Sequence, residues 1–176
     1  MTEERRVRVL FDEAAIAKRN DEIAAAIART HPKNLLVVAI LKGSFMFAAD
    51  LMRALHRAGV RPQVEFMHLS SYREGTTSSG QVTILKDVES DVRDRDVVLV
   101  DDILESGRTL AFAKDLLAAR GARVMTCCLL EKPGHRAVGL DADLVGFTCP
   151  DLFVVGYGMD VAHSYRQLPF IGVVET

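Results

Sequence analysis

Residues 97–109, Val-Val-Leu-Val-Asp-Asp-Ile-Leu-Glu-Ser-Gly-Arg-Thr, join an apolar strand pattern to two adjacent carboxylates and then to a Ser/Gly/Thr turn that opens a helix. A strand-to-helix turn of this kind aims backbone N–H groups and the positive end of a helix at an anion, while the carboxylates suit sugar hydroxyls or Mg²⁺. The same residues also suit an ordinary loop, with Asp101 and Asp102 capping the turn and Gly107 relaxing it. The local pattern by itself does not choose between the two.

Working outward, strand and helix patterns alternate. Val7–Phe11 reads as a short strand, and Asp12 as the N-cap of a helix to about Arg29, whose Ile16, Ile23 and Ile27 share one apolar face. Leu35–Leu41 is a continuous apolar run, as expected of a strand buried on both faces, and it leads through Lys42-Gly43-Ser44 into a helix from Phe45 to about Arg57. Val64–Leu69 is a strand, Ser70–Gly80 a polar loop, and Val82–Leu85 a resumption of strand. Val97–Val100, a helix Thr109–Arg120, and strands at Arg123–Leu130, Leu144–Thr148, Phe153–Val155 and Ile171–Val174 complete the reading. Such alternation predicts an α/β fold with a mainly parallel sheet flanked by helices and right-handed crossovers. Ligands in these sheets sit beyond the C-terminal strand ends, and Lys42-Gly43-Ser44, Asp101-Asp102 and Glu131-Lys132 all fall there.

Composition narrows the class. A chain of 176 residues, 49% hydrophobic, has material for one core, so a single domain over residues 1–176 is expected. A net charge of −2 supplies no basic field for nucleic acid. No run approaches a membrane span, and the charged start Met-Thr-Glu-Glu-Arg-Arg-Val-Arg lacks the apolar core of a signal peptide, which predicts a cytoplasmic protein. Cys127, Cys128 and Cys149 are expected as reduced core residues, the first two on opposite strand faces. No Cys-x-x-Cys or His-x-x-x-His spacing indicates zinc. The Walker A run is missing, and Gly156-x-Gly158 stands without the rest of a dinucleotide fingerprint.

The order of residues 97–109 resembles the binding motif for phosphoribosyl pyrophosphate (PRPP) of type I phosphoribosyltransferases. Leu41-Lys42-Gly43-Ser44, Ser70-Ser71-Tyr72 before a Gly/Ser/Thr loop, Leu-Leu-Glu-Lys at 129–132, and Phe153-Val-Val-Gly-Tyr-Gly-Met-Asp160 with Arg166 narrow the resemblance to hypoxanthine-guanine phosphoribosyltransferases, over about residues 35–174. The resemblance implies a small hood subdomain, formed by the N-terminal segment and about 132–176, and a flexible loop at about 71–81. It implies transfer of the phosphoribosyl group from PRPP to hypoxanthine or guanine with Mg²⁺, giving IMP or GMP and pyrophosphate, in a homo-oligomer (dimer or tetramer).

By the same resemblance, Lys42, Gly43 and Arg166 would clamp the pyrophosphate, with a cis peptide between Leu41 and Lys42. Ser106, Gly107, Arg108 and Thr109 would cradle the 5′-phosphate. Asp101 and Asp102 would hold the ribose hydroxyls directly or through Mg²⁺, and Asp160 would order a pyrophosphate-side Mg²⁺. Lys132 would donate to the 6-oxo group, Phe153 would stack on the purine, and Val154 would contact the base edge through its backbone. Ser71 and Tyr72 would shield the reacting sugar from water. Where the family usually has Asp to exchange a proton at purine N7, this chain has Glu105, one methylene longer. Two rival readings follow from the family: a regulator that binds PRPP without catalysis, which should carry a basic face or an added helix-turn-helix not found here, and an enzyme preferring xanthine or adenine.

Overall fold

The structure, a computed structural model, describes residues 6–74 and 77–175, with the side chains of 72–80 excluded. Its elements run β1 (Val7–Phe11), α1 (Glu13–Ala28), β2 (Leu36–Leu41), α2 (Phe45–Arg57), β3 (Gln63–Glu74), β4 (Thr77–Lys86), β5 (Asp96–Leu104), α3 (Arg108–Ala119), β6 (Arg123–Glu131), β7 (Leu144–Thr148), β8 (Val154–Val155) and β9 (Ile171–Val174). The main sheet has the order β4-β3-β2-β5-β6-β7. Every pairing in it is parallel except β3 with β4.

Strands buried on both faces need apolar residues at every position, and β2 illustrates why. Val37 and Ala39 face a core shared with α1 and α2 through Ile16, Ile23, Phe47 and Leu51, whereas Leu36, Val38 and Ile40 face a second core with Leu110 and Leu117 of α3. Cys127 and Cys128 divide between the two cores in the same way. All three cysteines are free and buried, and burial pushes their thiols up, that of Cys128 to about 12. The helix limits follow from local chemistry: the Asp12 carboxylate accepts the Ala15 amide at 2.8 Å and caps α1. Gly121, with φ 93°, closes the turn after α3.

A second, three-stranded sheet in the order β1-β9-β8 joins the two ends of the described chain, Val7 pairing with Val174 and Val154 with Val173. It stands beside the C-terminal rim of the main sheet because β8 follows directly on the loop after β7.

One expected element is different. Residues 70–80 were read as a polar loop, yet β3 and β4 carry antiparallel pairing out to Arg73 opposite Ser78 and Glu74 opposite Thr77. Serines and threonines lack an apolar alternation, but the ladder satisfies their backbone groups through cross-strand pairing. The flexible loop expected at about 71–81 therefore has a paired stem, and its tip at 75–76 and the side chain of Tyr72 lie outside the described residues. Likewise β5 runs on past Val100 to Leu104, because Ile103 and Leu104 pair with Leu130 and Glu131 of β6.

Candidate active site

The ends of β2, β5 and β6 meet at one rim, and two adjoining cavities open there. The first, about 370 Å³, is lined by Lys42, Gly43, Asp102, Phe153, Val154, Met159, Asp160 and Arg166, together with Leu41, His68, Leu69 and Ile103. The second, about 220 Å³, is lined by Asp101, Asp102, Glu105, Ser106, Gly107 and Thr109 among others, and shares Leu41, Leu69, Asp102 and Ile103 with the first. Most of the residues expected to act together are thus contiguous. Ser71 lies on β3 outside both linings, and Lys132 and Arg108 also fall outside them.

The turn after β5 has the geometry of an anion cradle. Gly107 adopts φ 81° and serves as the N-cap of α3, and a Cβ there would press on Val138 at 3.1 Å. The amide of Arg108 points back to Ser106 Oγ at 3.3 Å, and the positive end of α3 faces the same turn. The loop is held from outside: Arg136 donates to the Glu105 carbonyl at 2.8 Å and to Glu131 Oε1 at 2.6 Å, and the Ala137 amide donates to the Ser106 carbonyl at 2.8 Å. Arg136 was not singled out by the sequence, because nothing local distinguishes it from a surface arginine.

The paired acids are unequal. Asp101 is 8% exposed; burial, with the neighbouring Asp102 charge, pushes its carboxyl well above the usual aspartate range. Burial raises Asp102 as well, against hydrogen bonds that oppose the shift and the nearby Arg166 guanidinium. The Asp101 side chain accepts the Asp102 amide at 2.9 Å, and Asp102 accepts the Ile103 amide at 2.7 Å. Two adjacent acids, one buried and one half-buried, are the ligand set expected of a site that takes up Mg²⁺ or hydroxyl groups. Gly43 stands against them: a Cβ at this position would lie 1.8 Å from Asp102 Oδ2. The Leu41–Lys42 peptide is cis.

On the opposite wall, Arg166 donates through Nη1 to the Gly158 carbonyl at 2.6 Å and pairs through Nη2 with Asp160 at 3.0 Å. Asp160 also accepts the His163 amide. Phe153 is 63% exposed, a free aromatic face where a core phenylalanine would be hidden, and Val154 beside it is buried. Lys132 is 7% exposed, close enough to Cys149 to favour its thiolate. Its amide donates to the Leu104 carbonyl at 2.9 Å, which ties the end of β6 to the cradle loop.

Glu105 is exposed at the outer edge, where it meets two residues the sequence reading passed over. His135 Nε2 lies 3.0 Å from Asp151 Oδ2, and the ligating atoms of Glu105, His135 and Asp151 all lie within 4.8 Å of one another. The three come from separate loops, so no spacing in the sequence announces them.

Comparisons with known proteins agree with this geometry. The family model described as "Phosphoribosyl transferase domain" matches residues 7–162. The chain is 41% identical over 177 residues to the hypoxanthine-guanine phosphoribosyltransferase of Streptococcus mutans, covering 99% of this chain and 97% of that one. The hypoxanthine phosphoribosyltransferase of Trypanosoma cruzi in complex with the product IMP superposes with a TM-score of 0.89 at 36% identity, covering 99% of this chain and 97% of that chain. A third structure, the glutamic acid mutant of an aspartic acid described as invariant in HPRTs, gives a TM-score of 0.90 at 38% identity over 97% of this chain and 96% of that chain. With its rim cavities, its anion cradle and this match over nearly its full length, the chain belongs to the phosphoribosyl transferase domain family.

Proposed function

We propose that this enzyme transfers the phosphoribosyl group of PRPP to hypoxanthine or guanine, giving IMP or GMP and pyrophosphate, a step of purine salvage. The observation that carries the reading is the shared cavity: an exposed aromatic ring, Phe153, faces the same space as Lys42, Arg166 and two carboxylates, next to a helix-capping anion cradle.

In the reaction the bond from ribose C1 to a pyrophosphate oxygen breaks as a bond from C1 to a purine nitrogen forms. Positive charge builds on the sugar and negative charge on the leaving group, so preorganised donors at the pyrophosphate matter most. Lys42, the Gly43 backbone and Arg166 supply them. Ser106, Gly107, Arg108 and Thr109 hold the 5′-phosphate, and Asp101 and Asp102 take the ribose hydroxyls. The buried pair Asp101 and Asp102, with Asp160, fits Mg²⁺, which when bound supplies charge neutralisation at the pyrophosphate. Phe153 stacks on the base while Lys132 donates to its 6-oxo group, which adenine lacks, and the Val154 backbone meets the base edge. Glu105 exchanges the proton at purine N7. Ser71 and Tyr72 on the hairpin cover the reacting sugar. The chain acts as a single domain with a hood built on β1, β8 and β9, in the cytoplasm, as a dimer or tetramer.

The test is a base panel: purified protein, Mg²⁺ and PRPP with hypoxanthine, guanine, xanthine or adenine, products resolved by chromatography. IMP and GMP are the expected products. Formation of AMP in preference to both, or no nucleotide from any base, overturns the proposal.

A further inference from the structure

The wall that carries Arg166 is anchored by a polar contact on its far side. Gly156, Tyr157 and Gly158 are consecutive residues with φ 94°, 48° and 96°. Two glycines adopt the left-handed region freely, but a tyrosine there carries a cost on the order of 1–2 kcal/mol, so its surroundings must hold it. The backbone does part of this: the Tyr157 amide donates to the Leu168 carbonyl at 2.8 Å and the Gly158 amide to the Arg166 carbonyl at 3.0 Å. Arg166 in turn donates to the Gly158 carbonyl, and a Cβ on Gly158 would lie 2.5 Å from the Gly43 carbonyl. The turn therefore touches both Arg166 and Gly43.

Tyr157 lies outside both rim cavities, in the core against α1 and α2, where it is 5% exposed and lines a separate cavity of about 330 Å³ with Asn20, Asp50, Arg53 and Arg57. Its hydroxyl accepts from Asn20 Nδ2 of α1 at 3.0 Å and donates to Asp50 Oδ2 of α2. Asn20 is 2% exposed, and among the described residues its Oδ1 has no partner. Burial and the adjacent Asp50 carboxylate push the phenol far up. A core filled only for stability would use phenylalanine and an apolar partner here, since an orphaned amide oxygen and a buried phenol both cost desolvation. What the polar contacts add is direction: they fix the ring at both ends of its oxygen, and with it the peptide planes of the turn.

We propose that Tyr157 is a positioning residue for pyrophosphate: its hydroxyl, held between Asn20 and Asp50, sets the Gly156–Gly158 turn and through it the Arg166 guanidinium and the Gly43 backbone. The proposal rests on the reading of Lys42, Gly43 and Arg166 as the pyrophosphate clamp.

The experiment measures two affinities on the full chain by calorimetry, pyrophosphate with Mg²⁺ and IMP, which engage opposite ends of the site. Tyr157→Phe and Asp50→Asn should each weaken pyrophosphate about tenfold, the loss typical of one hydrogen bond to a charged group, with IMP affinity unchanged. The double variant should be no weaker than either single one. Ile27→Val, a change in the same core away from the turn, lowers the melting temperature and leaves both affinities alone. If Tyr157→Phe fails to fold, Asp50→Asn gives the same reading. Loss of melting temperature with pyrophosphate affinity intact, or equal weakening of pyrophosphate and IMP, overturns the proposal. Arg166→Ala separates the two levels: if it too leaves pyrophosphate binding intact the clamp reading falls, and if it alone weakens binding only the role of Tyr157 falls.

Discussion

Glu105 stands where the family resemblance leads one to expect an aspartate, and its surroundings show how a longer carboxylate fits there. The cradle backbone beneath it is held by Arg136 and Ala137, so the extra methylene cannot be absorbed by retraction of the loop without breaking those bonds. The side chain instead extends to the exposed rim, within reach of His135 and Asp151. Glu105→Gln keeps the size and removes the titratable oxygen, so kcat should fall on the order of 100-fold while PRPP affinity stays unchanged. Steady-state rates with PRPP and hypoxanthine and a separate PRPP titration check this; an unaltered kcat and pH profile would remove Glu105 from the chemistry.

Contacts between elements set both the site and its stability. The loop from β2 to α2 approaches the end of β5 so closely that a Cβ at 43 would collide with the Asp102 carboxylate. Gly43→Ala forces the loop or Asp102 to move; PRPP affinity should drop at least on the order of tenfold, read by calorimetry, with the circular dichroism spectrum unchanged. Elsewhere, Asp87 after β4 receives two bonds from Arg120 at the end of α3, at 2.8 and 2.6 Å, and that guanidinium holds its carboxyl below the usual range. A lowered native value means the pair's contribution is complete above the unfolded aspartate value near about pH 4 and is lost as pH falls through the native value. Both groups are about one-third exposed, so the contribution is that of a surface pair, about 0.2–1 kcal/mol. Asp87→Asn should lower the melting temperature slightly at neutral pH, and the gap to the parent should narrow as the pH falls below the unfolded aspartate value.

At the scale of the whole molecule, two cores on opposite faces of one sheet hold the rim rigid while the small sheet of β1, β8 and β9 supplies the opposing wall. Leu51 of α2 is fully buried in the core nearer that wall. Leu51→Ala should cost about 2–5 kcal/mol, seen as a lower denaturant midpoint, without altering KM for PRPP. A change in KM beyond that of other core truncations would mean the core reaches the site directly. Among the described residues no helix is long and apolar enough to cross a membrane.

The chain by itself determined what depends on local backbone preference and on periodicity. Continuous apolar runs specified strands buried on two faces, Asp12 and Gly121 bounded helices, and the acids, Gly107 and hydroxyls after β5 specified a strand-to-helix turn, whose reading as an anion site came from the family resemblance. The positions of Lys42 and Asp102 in one cavity were legible because parallel strands bring their C-terminal ends to one rim, whereas Phe153, Asp160 and Arg166 were expected there only from the family resemblance. Only the tertiary structure decided which loops touch. Arg136 on Glu105, His135 with Asp151, Gly43 on Asp102, and Tyr157 between Asn20 and Asp50 join residues far apart along the chain, and nothing in their neighbours encodes the pairing. The strand pairing within residues 70–80 stayed hidden for a related reason: its ladder is satisfied by backbone pairing across strands, which leaves no trace in the hydrophobic pattern of a segment rich in Ser and Thr.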